Sequence, residues 1–294
     1  MIDLLIPPST GAVVVETLTD PPEARLFPEE EELLGQAVEK RRLEFTTVRH
    51  CARQGLARLG RPPAPILPGD HGAPQWPDGV VGSMTHCAGY RAAVVANRAD
   101  LITIGVDAEP HDALPPEVLD TVTLPEERAQ LARLVARHPG VHWDRLLFSA
   151  KESVYKAWFP LTRRWLDFDQ AGIAFDAVDT DTVTDTVTDT DYADAIDTRA
   201  IVQGRENMAI GIAHSNASYK RNYSGAVSEG HAVDEASPAA GDCVSGTFQA
   251  RLLVPGPVVA GARLPGFSGR WLVRDGLLVT AITVAASAER TIVL

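Results

Sequence analysis

Cysteine is scarce in this chain. Its three residues, Cys51, Cys87 and Cys243, are too few and too scattered for a disulfide framework or a zinc site. No stretch approaches the ~18 apolar residues that a membrane span needs. Met1 to Val15 has no cationic region ahead of its apolar residues and carries Pro7-Pro8, so it does not read as a signal peptide. A reduced, cytoplasmic protein with no membrane partner is expected, and in that setting Asn216-Ala217-Ser218 and Asn222-Tyr223-Ser224 are not glycosylation sites. What is present is ample: 294 residues, 45% of them hydrophobic, can bury a sizeable core as one large domain or two small ones.

The net charge of −12 argues at first against anionic substrates, but it is unevenly placed. Asp176 to Ser245 holds thirteen acidic and four basic residues, a net of −9, which leaves −12 + 9 = −3 for the rest. Within that remainder Lys40, Arg41, Arg42, Arg49, Arg53, Arg58 and Arg61 face a single acid, Glu44. A local basic patch in an acidic chain suits a polyphosphate site and not a duplex, so no nucleic-acid partner is expected. Taken alone, such a helix is also an ordinary solvated face.

Two apolar stripes, Leu33-Leu34-Ala37-Val38 and Phe45-Val48-Cys51-Ala52-Leu56, predict helix from Glu29 to Leu59 with one break. Gly60 and Pro62-Pro63 end it, and 62–79 is a Pro/Gly-rich loop. Val80 to His86 and Tyr90 to Asn97 predict strands around a Cys87-Ala88-Gly89 turn, although small residues leave a helical turn open at Arg91 to Ala96. Leu101 to Val106 predicts a strand that Pro110 stops. Pro125 to Arg137 and Trp143 to Trp158 predict helices, and Leu166 to Ala174 leads into a strand. Residues 177–245, with an Asp-Thr-Val-Thr repeat and a polar tail, read mainly as a mobile insertion, with Ala209 to Ile212 a candidate short strand. Strands resume at Gly246 to Val254 and Gly269 to Val284. The class is α+β, not the strict alternation of a doubly wound sheet.

Chemistry concentrates in three blocks. Asp107 and Glu109 stand at i and i+2 of a strand end, so both carboxylates point to one face. Two adjacent acids repel, which suggests a cation between them, and oxygen ligands without His or Cys select Mg²⁺ over zinc. The ordinary alternative is a polar turn closed by Pro110. In Phe148 to Trp158, Glu152 and Lys156 share one helix face, and Lys151 and Tyr155 another. Ser149-x-x-Glu152 also reads as a capping box, and Glu152 with Lys156 as a helix salt bridge. A helix N-terminus with two lysines would suit an anion. In Gly82 to Cys87, Ser83 and Thr85 share one face and His86 the other; His86 also fits a structural role, and Cys87 lacks a recognisable catalytic partner.

Arg49-His50-Cys51-Ala52-Arg53, Gly82 to Arg91, Ile104 to Pro110 and Phe148 to Trp165, in this order, resemble the Sfp-type 4′-phosphopantetheinyl transferases, especially their actinobacterial branch. The resemblance covers roughly 25–176 and resumes near 246, and the insertion at 177–245 departs from the family's short connection. It implies a pseudo-twofold pair of α/β subdomains, each a small antiparallel sheet with a long helix, with coenzyme A in the cleft between them. The halves would be 1–104, on the nucleotide side, and 105–294, on the pyrophosphate side. Asp107, Glu109 and Glu152 would be the Mg²⁺ ligands. Ser83 and His86 would lie on the nucleotide side, with Lys151 and Lys156 on the pyrophosphate. Arg41, Arg42, Arg49 and Arg53 would be partners of the 3′-phosphate.

The implied reaction is attack by a serine of an acyl or peptidyl carrier protein on the β-phosphate of coenzyme A, releasing adenosine 3′,5′-bisphosphate. Glu152 would activate that serine directly or through a water, with Lys151 as an alternative base, and Lys156 would support the leaving group. A monomer is expected. Two other classes stay open on the residues alone: a coenzyme-A-binding regulatory module without turnover, and a Mg²⁺-dependent nucleotide phosphohydrolase.

Overall fold

In the computed structural model, which describes residues 1–177 and 243–286, two antiparallel sheets lie between two long helices. Strand β1 (Val13–Thr17), hairpin strands β2 (Val80–Cys87) and β3 (Tyr90–Asn97) form a three-stranded sheet of order β1-β3-β2. The β2–β3 turn falls where it is predicted, at Ala88-Gly89; Gly89 takes φ +72°, a conformation that glycine adopts without cost. Helix α1 (Pro28–Glu32) and helix α2 (Glu39–Arg58) are the predicted helix with its one break. Beyond α2, Gly60 at φ +72° turns the chain, and the amide of Arg61 bonds back to the Leu56 carbonyl at 2.9 Å.

Strand β4 (Leu101–Pro110) is followed by helices α3 (Pro116–Val122), α4 (Pro125–Arg137) and α5 (Trp143–Thr162), and then by β5 (Ala171–Ala177). Strand β6 (Val244–Leu252), a small ribbon of β7 (Val258–Val259) and β8 (Ala262–Arg263), and strands β9 (Gly266–Arg274) and β10 (Leu277–Ala285) complete the described chain. The second sheet has five strands, in the order β4-β10-β9-β6-β5. Most of the predicted insertion, including Ala209 to Ile212, lies outside the described residues.

Alternation along the strands sorts the core into three layers. Even-numbered Ala92 and Val94 of β3 meet Ile104, Val106 and Ala108 of β4 between the two sheets, with Val279 and Ala281 of β10. Odd-numbered Ala93 and Val95 pack under Cys51, Ala52 and Leu56 of α2. On the far side, Leu147, Val154 and Trp158 of α5 cover Phe248, Trp271 and Leu278. The described residues thus layer as helix, sheet, sheet, helix, and the α+β class with a long helix on each small antiparallel sheet agrees with expectation.

Two boundaries bear on the reading of the sequence. Strand β4 ends at Pro110, as the sequence predicts, and this last residue still pairs with Leu277. The strand is the edge of its sheet, and there a missing N–H costs no ladder bond. Helix α5 starts at Trp143, so Ser149 and Glu152 lie inside it and form no capping box. The hydroxyl of Ser149 instead meets Thr280 Oγ1 of β10 at 3.0 Å.

Candidate functional site

The site is built by the close approach of α5 to β4. A Cβ on Gly105 would lie 2.0 Å from the Ser153 carbonyl oxygen and 2.8 Å from the Ala157 amide nitrogen. Only a glycine lets the helix backbone sit directly on this strand. Thr103 donates its hydroxyl to the Ala157 carbonyl (2.8 Å), and Ser153 meets Thr280 Oγ1 at 2.7 Å. Thr103, Gly105, Asp107 and Glu109 therefore all face α5, as strand alternation requires. On the helix, Arg145, Ser149, Glu152 and Lys156 recur at i, i+4, i+7 and i+11, one stripe along its side.

Where strand face and helix stripe meet, opposite charges interleave. Lys156 Nζ donates to Asp107 Oδ1 at 2.7 Å and to the Val106 carbonyl at 2.9 Å. Arg145 reaches Glu109 Oε2 at 3.4 Å while its other nitrogens hold the carbonyls of Asp112 and Ala113. Glu152 lies on the helix stripe between these two cations. All three acids are shielded: Asp107 is fully buried, Glu152 is 5% exposed and Glu109 8%. From the other sheet, Thr85 Oγ1 donates to Asp107 Oδ1 at 3.2 Å and accepts from the Ala108 amide at 3.0 Å. Ser83 Oγ accepts from the Val106 amide at 3.1 Å, so the two hydroxyls close the outer edge of β4 in place of a neighbouring strand.

The all-oxygen donor set suits a hard divalent cation. Among the described residues, however, no group of three or more His, Cys, Asp or Glu side chains is gathered closely enough to hold an ion. The lysine and the arginine each hold one of the acids instead.

Other residues singled out from the sequence are placed differently. Lys151 is not at the acids: the residue is 3% exposed, and its ammonium donates to Glu127 Oε2 (2.8 Å) and to the Phe168 carbonyl (2.7 Å). Burial pulls its pKa down, against the opposing attraction of Glu127. Arg49 and Arg53 are likewise engaged within the fold. Arg53 donates to both Glu30 oxygens at 2.9 Å, and Arg49 donates to the Ile66 carbonyl at 3.0 Å while stacking over Phe45. Burial lowers the Arg49 pKa to about 10, which leaves it cationic at neutral pH. Ser83 is buried against β4 as described, and its hydroxyl belongs to the joint between the sheets.

His86, on the opposite face of β2, meets α2: Arg41 Nη1 lies 3.4 Å from Nε2, and Glu44 Oε2 lies 3.5 Å from Nδ1. Arg42 bonds the Gly35 carbonyl at 3.2 Å. Arg41 of the basic helix is thus joined to His86. Thr85 was placed on the face of Ser83 but given no role. Arg145 and Glu127 escaped the reading of the sequence, although the helical spacing from Glu152 back to Arg145 was a usable signal for the first. So did an aromatic group in which Tyr155 packs on Phe159 and Trp165, with His71 against both of these rings. Burial and the nearby Glu152 push the Tyr155 phenol up to about 12, so it stays protonated.

Comparison with known proteins finds two family models and several full-length relatives. The family model described as the 4′-phosphopantetheinyl transferase N-terminal domain matches residues 29–96, and that of the 4′-phosphopantetheinyl transferase superfamily matches 103–213. The chain is 47% identical to the 4′-phosphopantetheinyl transferase Svp of Streptomyces mobaraensis, over 98% of this chain and 91% of the relative. It is 42% identical to PptT of Mycobacterium tuberculosis (92% of this chain, 90% of the relative). It is 40% identical to Npt of Nocardia iowensis (97% and 100%), and both of these proteins also carry the name 4′-phosphopantetheinyl transferase. Matched along nearly its whole length by such relatives, and with the acids and Lys156 of its motifs meeting on one face, the chain belongs to the 4′-phosphopantetheinyl transferase superfamily.

Proposed function

We propose that the β4–α5 face is the reactive centre for moving 4′-phosphopantetheine from coenzyme A to a serine of an acyl or peptidyl carrier protein, with release of adenosine 3′,5′-bisphosphate. The two sheet-and-helix layers would be the pseudo-twofold halves of the fold, with the substrate between them. With Lys156 and Arg145 drawn off the two strand acids, Asp107, Glu109 and Glu152 would together hold Mg²⁺, which when bound neutralises the pyrophosphate and the charge that builds on the leaving phosphate.

This chain's own groups do the rest. Glu152, shielded and central on the helix stripe, takes the proton of the carrier serine directly or through a water. Lys156, one turn further along, presents its ammonium to the phosphates and stabilises the leaving oxygen. Arg41 and His86 receive the nucleotide phosphates at the end of β2. The aromatic group of Tyr155, Phe159 and Trp165 supplies the apolar wall that a pantetheine chain needs. Lys151 takes no part in the chemistry, because its ammonium is committed to Glu127.

The observation that carries this reading is the single stripe that sets Glu152 and Lys156 opposite Asp107 and Glu109. The test is Glu152→Gln. We expect it to keep its fold by circular dichroism and to add no phosphopantetheine mass to an apo carrier domain supplied with coenzyme A and Mg²⁺. Near-normal transfer by the folded variant would sink the assignment.

A further inference from the structure

Asp107 is fully buried, yet the group that balances it is not: the Lys156 side chain is 23% exposed. A carboxylate removed from water must be paired, and here the pairing is with an ammonium 2.7 Å away that is also fixed by the Val106 carbonyl. Arg145 balances Glu109 in the same manner. Two of the three acids are therefore already neutralised by the protein, and a divalent ion approaching them meets two cations first.

We infer that Lys156 is the built-in counter-ion of Asp107, and that a divalent ion gains this carboxylate only when phosphate oxygens of the substrate draw the ammonium away. This rests on the metal reading above and adds an order to it. The geometry allows the exchange, because the carboxylate is locked on a strand whereas the lysine is the outward partner. Its compact charge rides on a flexible four-carbon stem and can re-aim without backbone movement. Metal and substrate then bind with positive coupling, and by linkage each strengthens the other by the same factor.

The experiment uses the full chain and Mn²⁺ as probe, with free Mn²⁺ read by electron paramagnetic resonance, with and without saturating coenzyme A. The variants are Lys156→Met and Lys156→Arg, with Lys156→Gln in place of the first should it fail to fold. Without coenzyme A, we expect the wild type and Lys156→Arg to bind Mn²⁺ at least about tenfold (about 1.4 kcal/mol) more weakly than Lys156→Met. Coenzyme A should tighten Mn²⁺ binding to the wild type by a similar factor, and to Lys156→Met by much less. Equal Mn²⁺ affinity of wild type and Lys156→Met without coenzyme A overturns the counter-ion, and leaves the metal reading intact if Mn²⁺ binds. So does tight binding by Lys156→Arg, which keeps the charge. Absence of Mn²⁺ binding by every form, even with coenzyme A, overturns the metal reading and the exchange with it.

Discussion

Replacing Gly105 with alanine tests whether the closeness of α5 to β4 makes the site. The added methyl would sit 2.0 Å from the Ser153 carbonyl oxygen, 2.8 Å from the Ala157 amide and 3.0 Å from the Ala157 Cβ. Because the first two are helix backbone atoms, no rotamer change relieves them. Reaching even 3.0 Å requires the helix to lift by about 3.0 − 2.0 = 1.0 Å. Overpacking of this kind costs roughly 1–3 kcal/mol. For a chain of this size that lowers the melting temperature by about 2–4 °C per kcal/mol. The larger effect falls on chemistry, because a displacement of ~1 Å in a reacting constellation costs on the order of a hundredfold in rate. Glu152 and Lys156 ride on the helix while Asp107 and Glu109 stay on the strand, so the displacement separates one pair from the other. The assay pairs thermal melting with transfer to a carrier domain followed by intact mass. Gly172→Ala serves as the control, since its methyl would meet only Leu124 Cδ1 at 3.5 Å, an ordinary contact. If Gly105→Ala melts with the wild type and transfers at an undiminished rate, the close approach does not set the site.

Lys151→Met strands the Glu127 carboxylate, 2% exposed, without its cation, and should cost about 3–5 kcal/mol by thermal unfolding. A second change, Glu127→Gln, should recover part of that; a stable Lys151→Met with a collapsed rate would instead return Lys151 to the chemistry. Burial raises the Cys51 thiol from 9.0 to about 11, so its proton is held more tightly in the folded chain than in the unfolded one. The resulting stability is fully present below pH 9.0 and is lost as pH rises through about 11, to the extent of about 3 kcal/mol. Denaturant unfolding of wild type and Cys51→Ala across that window should show the difference between them shrinking. In native labelling near neutral pH, Cys243 should react well before Cys51, which is 1% exposed.

The β2–β3 hairpin was legible because alternation and a turn glycine point the same way, and α4 because Pro125 and two acids mark its start. The facing of Ser83 and Thr85 against His86 followed from strand period alone. What was not legible came from partners far along the chain. Nothing in the spacing of Arg49 and Arg53 says that Glu30 will reach them from α1. Among the adjacent Glu29, Glu30, Glu31 and Glu32, it is the fold that buries Glu30 to 0% exposure and aims it at Arg53 and the Ile66 amide. That Pro110 stays paired as the last residue of β4 depends on its lying at a sheet edge, which is a property of the sheet and not of the strand. The supposed capping box failed on evidence already in the sequence: a helix predicted from Trp143 places Ser149 in its second turn, too far in to cap.

The two lysines of the helix motif show how position on a helix turns composition into function. At about 100° per residue, Glu152 and Lys156 lie ~40° apart, whereas Lys151 and Lys156 lie ~140° apart. One ammonium must therefore face the strand and the other must face away from it. Lys151 bolts the back of α5 to Glu127 of α4 and to the carbonyl of Phe168, while Ser149 and Ser153 fasten the neighbouring side to Thr280. These bonds fix the roll of the helix about its own axis, and Gly105 fixes its height above the sheet. Roll and height are the two quantities that decide whether Glu152 and Lys156 arrive opposite Asp107. A buried ion pair is a poor source of net stability but a strict register device, since a rolled helix would leave both charges buried and apart. Lys151 thus holds the helix that carries Glu152, and on the proposed reading it serves the reaction in that way, with its own charge directed to Glu127 and away from the acids of β4.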